Sequence, residues 1–283
     1  MDQQKLHELR VFAAEIRLET LKIIGSRGFG HVGGSMSMAD AMAVLYGAVM
    51  NIDPQNPRWE GRDWFVLSKG HGGPVMYATL GLKGYYPIET AYTLNQPGTD
   101  FPSHTDRNKT VGVDLTTGSL GQGMSEAIGA ALGSRVQGRD NQVFVAIGDG
   151  EADEGQIWEG AQFAAHYQLD NLICLVDDNK RQLDGAVADV MSHGKGIGTK
   201  FDAFGWNVIN VKDGNDIEQI YDALQQACAC KGKPSCLILN TVKGKGATFA
   251  EPSGAHSSQP TQEQWDEAIA AAEAALEAVK NEQ

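Results

Sequence analysis

The sequence predicts an α/β fold, a mainly parallel sheet held between two layers of helices in a three-layer α/β/α arrangement. Three observations predict it. In the second half of the chain, short apolar runs alternate with helical patterns, as parallel strands joined by crossover helices require. Those runs are apolar at successive positions, which suits strands buried on both faces. They also end in Gly-, Asp- and Asn-rich stretches, and the carboxyl ends of strands are where open α/β sheets bind ligands.

Residues 5–27 read as a helix, with Leu6, Leu9, Phe12, Ala13, Ile16, Leu21 and Ile24 at helical spacing. Met38 to Val49 is almost wholly apolar and reads as a buried helix. Trp64-Phe65-Val66-Leu67 reads as a strand that enters a loop at Ser68-Lys69-Gly70. Residues 84–119 are rich in Gly, Pro, Thr, Asp and Asn, and a loop that long inside a compact domain is expected to be functional or disordered. Residues 121–136 resume a helical pattern whose Ala and Gly content favours close packing. Strands follow at 143–147, 172–176, 206–211 and 236–242, with helices at 156–166 and 217–229. From Thr261 the chain reads as a charged, Ala- and Glu-rich helix. Two parts are therefore expected, a binding domain over residues 1–260 and a C-terminal helical arm over residues 261–283.

The chain has 283 residues, 42% of them apolar, enough for a sizeable core. Its net charge of −13 repels phosphate backbones and anionic lipid heads, so nucleic acid and membrane surfaces are not expected as partners. No charge-free apolar run reaches the roughly 20 residues of a membrane helix. The polar N-terminus lacks the apolar stretch of a secretion signal. A cytoplasmic location is expected. The four cysteines, Cys174, Cys228, Cys230 and Cys236, form no Cys-x-x-Cys pair and read as reduced, small apolar side chains.

The sharpest chemical signal is Gly148-Asp149-Gly150 directly after the 143–147 strand, with Asn179 just after the 172–176 strand. Adjacent parallel strand ends would set Asp149 beside Asn179. A carboxylate and an amide oxygen converging there suit a hard divalent cation such as Mg²⁺, which commonly shares its oxygens with a ligand's phosphates. Gly150 leaves room for a phosphate, and the N–H groups of the following helix start would cradle it. Taken singly, the same residues read as an Asp N-cap and an ordinary turn.

The second signal is Thr116-Thr117-Gly118-Ser119-Leu120-Gly121-Gln122-Gly123, a Gly-rich loop that opens a helix and could bind an anion or admit a flat ring. It follows a long loop rather than a first strand, which counts against a dinucleotide-binding dehydrogenase. The third signal is four loop histidines in Gly- and Ser-rich settings, His31, His71, His104 and His256. They point to a polar pocket that handles protons near neutral pH. Zinc is the rival account, but the short His-x₃-His spacing it favours does not occur. His7 and His166 lie on helical segments, and His193 receives no assignment.

Together these motifs resemble the N-terminal, diphosphate-binding domain of transketolases. The likeness runs through HVGGSMSMADAMAVLY, FVLSKGHGGPVMYATL, VGVDLTTGSLGQGMSEAIGAAL, VFVAIGDGEADEGQIWEGAQFAAHYQLDNLICLVDDNK, FGWNV and KGKGATFAEPSGAHS. The Gly-Asp-Gly…Asn motif is shared by many thiamine diphosphate enzymes, while TTGSLGQG and SKGHGG narrow it to the transketolase group. The GHVGGSMS form and the end of the chain soon after His256 look like members whose two domains are separate subunits.

The resemblance implies a thiamine diphosphate-binding fold and Mg²⁺ held by Asp149 and Asn179 side chains and the Arg181 carbonyl, with Ca²⁺ or Mn²⁺ as substitutes. It implies that Gly150, Gly118, Leu120, His71 and His256 contact the cofactor, and that His31, His71, His104 and His256 act on the sugar, His104 at the donor's C1 hydroxyl. Glu154 would join a proton network between cofactor sites at the subunit interface, with Glu159 nearby; both also read as carboxylates favouring a helix N-terminus. The implied activity is transfer of a two-carbon ketol unit from a ketose to an aldose. It would require a pyrimidine-binding partner subunit in a heterotetramer-like assembly. The alternatives are one chain of a 2-oxoacid dehydrogenase, a split deoxyxylulose-phosphate synthase and a non-catalytic scaffold of the same fold. Three segments depart from the family pattern: Asp100 to Asp106 lacks Gly-His-Pro, Val111 replaces Pro, and Ala255-His256-Ser257-Ser258 replaces Trp-His-Gly-Lys. All lie on the expected substrate side, so the expected donor is a ketose that is phosphorylated or bears another acidic group.

Overall fold

The computed structural model describes residues 1–282. Its first helix, α1 (Gln3–Gly25), starts where the Asp2 carboxylate accepts the Lys5 N–H at 2.7 Å. A short helix, α2 (Val32–Met36), precedes the apolar stretch expected as one helix over Met38 to Val49, which is divided into α3 (Ala39–Val44) and a widened turn over Leu45–Val49. By length and composition Val32–Val49 could cross a membrane, but 83% of it is buried inside the protein. The remaining elements are β1 (Trp64–Leu67), α4 (Gly73–Leu82), α5 (Gln122–Val136), β2 (Val143–Gly148), α6 (Gly155–His166), β3 (Leu172–Asp177), α7 (Val187–Val190), α8 (Ile197–Ala203), β4 (Asn207–Val211), α9 (Ile217–Ala229), β5 (Ser235–Leu239) and α10 (Gln262–Lys280).

The five strands are all parallel, in the order β1-β2-β3-β5-β4. Alternate residues of each strand face opposite sides, so the core falls into two clusters. Phe65, Leu67, Phe144, Ala146, Ile173 and Leu175 pack beneath α1, α3, α4 and α9. Val66, Val145, Ile147, Cys174 and Val176 pack beneath α5, α6 and α8. This is the three-layer α/β/α arrangement expected from the continuous apolar strands. Helix α10, closed by a Thr261–Gln264 capping box, packs on α1 and buries Trp265, Ala268, Ala272 and Leu276 in the first cluster.

Four helices, α2, α4, α7 and α8, were not anticipated from the sequence. Helix α4 occupies residues read as loop after Ser68-Lys69-Gly70, and α8 fills an unassigned stretch. Nine of the ten α4 residues are buried, so the helix has no polar face and shows no helical period. Its Gly and Pro content reads as turn, yet Pro74 stands in the first turn, where a missing N–H costs nothing. The long segment between α4 and α5 holds one 3₁₀ stretch, Ile88–Thr93, and is otherwise turns. Among the described residues the cysteines are free; Cys174 and Cys236 are buried opposite each other on β3 and β5.

Candidate active site

The carboxyl ends of β1, β2 and β3 open into one cavity of ≈ 280 Å³. In the β2–β3 register Gly148 pairs with Asp177, and the Asp149 N–H donates to the Asp177 carbonyl at 3.2 Å. The chain therefore leaves both strands at the same level, and Asp149 and Asn179 line the same cavity as Gly150 and Arg181. Asp149 Oδ1 accepts the Gly150 N–H at 2.8 Å, while Oδ2 is buried without any hydrogen-bond partner. Burial, then the neighbouring Asp177 charge, pushes the Asp149 carboxyl up to about 7. A buried carboxylate oxygen with no donor, beside a second carboxylate, is an arrangement that a cation would stabilise.

Asn179 has a fixed orientation. Its Nδ2 donates to Asp177 Oδ2 at 3.0 Å, and its Oδ1 accepts the Arg181 N–H at 3.2 Å. Asp177 is fully buried and also receives the Lys69 ammonium, the Thr241 hydroxyl and the Ser37 hydroxyl, the last at 2.7 Å. Burial alone would raise its carboxyl, but the Lys69 charge and these donors hold it below the usual carboxylate range. Lys243 supplies a second ammonium, donating to the Arg181 carbonyl at 2.8 Å. Burial lowers it to about 8.

The four loop histidines converge. His31 sits at the centre, its ring centroid 5.5 Å from His71, 5.7 Å from His104 and 5.3 Å from His256, and His71 lies 4.7 Å from His256. Burial pushes all four below the ordinary histidine value. For His31 the His104 charge adds to this, for His71 chiefly the Lys69 charge, and for His256 the Lys243 charge, which brings it to about 4. All four are neutral at pH 7, so each offers one N–H and one acceptor nitrogen.

Their placement depends on loops tied to the sheet. Thr117 Oγ1 donates to the Leu67 carbonyl at 2.6 Å and lies 2.7 Å from Thr105 Oγ1, fastening the 104–117 segment to the end of β1. Tyr77 on α4 donates to the Pro102 carbonyl at 2.6 Å and steadies the same loop. Glycine at Gly34 leaves room for the His71 ring, since a Cβ would stand 2.9 Å from His71 Nε2 and push the ring aside. Gly118 adopts φ +143 and turns under the His104 ring. Glu151 is buried and accepts from Ser68 and from the Gly121 and Gly148 N–H groups at 2.8 and 3.1 Å, so it couples the β2 end to the Gly-rich loop before α5.

Every residue expected to touch metal, cofactor or sugar lines this cavity except Glu154. Glu154 is exposed at the N-cap of α6, beside Gly121 and outside the cavity, and makes no side-chain capping bond. Glu159 is exposed on the same helix. Sequence reasoning passed over Lys69, Lys243, Asp177, Glu151, Gln182 and Leu183. His193, which had no assignment, is buried behind the site with Nε2 2.9 Å from the Asp149 carbonyl oxygen. Among the described residues no cluster of three or more His, Cys, Asp or Glu side chains forms a metal site.

The family described as "Transketolase, thiamine diphosphate binding domain" matches residues 9–273. The 6-deoxy-6-sulfo-D-fructose transketolase subunit of Clostridium sp. (strain MSTE9) is 49% identical over 271 residues, covering 95% of this chain and 98% of that one. One of the subunits of the apulose-4-phosphate transketolase of Phocaeicola vulgatus is 32% identical, covering 98% of each. Among solved structures, transketolase from Campylobacter jejuni superposes with a TM-score of 0.87 at 28% identity, over 99% of this chain and 46% of that one. Transketolase from Leishmania mexicana gives 0.85 at 30% identity, over 96% and 45%. The chain thus spans a little under half the length of these solved transketolases and nearly all of the subunits. With its parallel sheet and the cavity at the strand ends, this chain belongs to the transketolase family and corresponds to the thiamine diphosphate binding domain.

Proposed function

We propose that this chain is the diphosphate- and Mg²⁺-holding subunit of a cytoplasmic two-chain transketolase. The observation that carries the proposal is the partnerless Asp149 Oδ2, buried in a cavity that also presents Asn179, the Arg181 carbonyl and four neutral histidines. Mg²⁺ takes about six oxygens. Asp149, Asn179 and the Arg181 carbonyl supply three, which leaves places for a diphosphate and water; Ca²⁺ or Mn²⁺ would suit the same donors. Gly150, Lys243, His71 and His256 line the same cavity and would hold the cofactor's diphosphate end, and Gly118 and Leu120 would border its rings.

When bound, thiamine diphosphate supplies a nucleophilic carbon and an electron sink. The residues of this chain do the rest. Neutral His31 and His104 donate N–H groups to the ketose oxygens and accept hydroxyl protons in turn, His104 at the C1 hydroxyl. Glu154, exposed beside the cavity, is placed to face a pyrimidine-binding subunit of the same assembly.

The donor is proposed to be a ketose carrying a terminal sulfonate. The Clostridium relative is named for 6-deoxy-6-sulfo-D-fructose. Of the segments that depart from the family pattern, 100–106 and 255–258 contribute His104 and His256 to the cavity, while Val111 does not line it. Loss of a two-carbon ketol unit from such a six-carbon donor leaves a four-carbon aldehyde that keeps the sulfonate.

The test is to combine the chain with an aldose acceptor and a pyrimidine-binding subunit. Release of the sulfonated aldose from 6-deoxy-6-sulfo-D-fructose should exceed turnover of fructose 6-phosphate and of pyruvate. Preference for pyruvate would assign a different thiamine diphosphate reaction. Preference for fructose 6-phosphate would remove the sulfonate.

A further inference from the structure

Lys69 is 1% exposed, and lysine is almost never buried so completely unless it is paired. Its partner is the fully buried Asp177 at the end of β3, and among the described residues the ammonium has no other. A buried ion pair recovers little of what its desolvation costs, so stability alone is a weak reason for one. The placement of the pair gives a better reason. The Lys69 N–H donates to the Ala146 carbonyl of β2 at 3.3 Å, its Cε lies beside Gly72 and its Nζ beside Gly34. The side chain thus reaches from the end of β1 to the end of β3, and it lines the same cavity as Asp149 and Asn179.

Asp177 Oδ2 accepts from the Lys69 ammonium, from the Ser37 hydroxyl at 2.7 Å and from Asn179 Nδ2 at 3.0 Å, and Thr241 donates to Oδ1. An ionised carboxylate only accepts, so it can face only the NH₂ end of the Asn179 amide. The oxygen end is thereby turned away from it. That oxygen accepts the Arg181 N–H at 3.2 Å, and of its two lone pairs one remains for a cation. Ser37 and Thr241 are neutral donors. Lys69 alone brings Asp177 a full counter-charge by direct contact. Without it a carboxylate would be buried unpaired, which strongly destabilises this arrangement and frees the amide to turn.

We propose that Lys69 is a positioning residue of the cation site: by pairing with Asp177 it locks the Asn179 amide with its oxygen toward the cation. It acts through Asp177 and Asn179 and is not itself a ligand. This role rests on reading Asp149 and Asn179 as cation ligands, and it adds the residue that orients one of them.

A double-mutant cycle tests it. In the subunit pair, thiamine diphosphate binding is titrated calorimetrically over a series of Mg²⁺ concentrations for the wild type, Lys69→Met, Asn179→Ala and the double variant, and Tm is measured for each. Lys69→Met should raise the Mg²⁺ concentration for half-maximal binding at least about tenfold, the scale on which groups that orient a metal ligand act. The double variant should need no more Mg²⁺ than Asn179→Ala alone, because the amide through which Lys69 acts is gone. A lower Tm in Lys69→Met with the wild-type Mg²⁺ requirement overturns the proposal, since a purely structural pair behaves that way. Additive effects in the double variant also overturn it and would place the ammonium on the cofactor directly. Where Lys69→Met does not fold, Lys69→Gln, which keeps a neutral donor, goes through the same cycle with the same two overturning results. A wild-type Mg²⁺ requirement in Asn179→Ala defeats the cation-site reading itself, and the role of Lys69 with it.

Discussion

His71 and His256 illustrate what burial does to a side chain that would otherwise titrate near neutrality. Their folded values lie below 6.5, so between about pH 4 and 6.5 the unfolded chain binds protons that the folded chain does not. Stability should therefore be full above that window and decline as pH falls through it. The change in Tm from pH 7.5 to pH 5 should be less unfavourable in His71→Asn than in the wild type, since the raised Asp149 carboxyl acts in the opposite sense in both. An equal difference in that variant would mean that His71 does not carry the effect. The histidines were legible in the sequence because each stands in a loop rich in Gly or Ser. Lys69, Asp177 and Lys243 were not. Lysines are seldom fully buried, and Ser68-Lys69-Gly70 reads as turn punctuation until Asp177, 108 residues away, is seen opposite it. Glu154 marks the opposite limit: the motif that contains it was plain, but its exposed position outside the cavity depends on how α6 leaves the sheet.

At the scale of elements, the strands were legible and the packing helices were partly hidden. β2 and β3 announce themselves by unbroken apolar runs, and their shared register is what brings Asp149 level with Asn179. Helix α4 lacks a polar face, and its periodicity is silent for that reason. The long loop before α5 reads as functional from its composition, and the structure shows it carrying His104, Gly118 and Leu120 to the cavity. Thr117 ties that loop to β1. Thr117→Val removes its bonds to Leu67 and Thr105 and leaves the Leu67 carbonyl without this donor. About 1–3 kcal/mol of stability should be lost. Cofactor affinity should fall in the same variant, because Gly118 is released. Chemical denaturation and cofactor titration check the two effects. Lost stability with unchanged affinity would show that the loop holds Gly118 by other contacts.

For the whole molecule, the three-layer sheet supplies a rigid platform and leaves one cavity open at its edge. Leu120 is 37% exposed there, a large apolar side chain at the position proposed to border the cofactor's rings. An open rim of this kind fits a subunit that is completed by a second chain. The family follows from residues spread over nearly the entire sequence, whereas the proposed donor rests on one relative's name and on a few departures from the family pattern. All of the proposed chemistry requires that two strand tips hold a cation between one carboxylate and one carboxamide. Calorimetric titration of the subunit pair with thiamine diphosphate tests this most directly, with Mg²⁺ and with chelator, for wild type and Asp149→Ala. The account predicts binding that needs Mg²⁺ in the wild type and is weakened at least about 100-fold in Asp149→Ala, a loss of roughly 2.7 kcal/mol or more, while the variant stays folded. Equal affinity in the two proteins, or affinity indifferent to chelator, would contradict it.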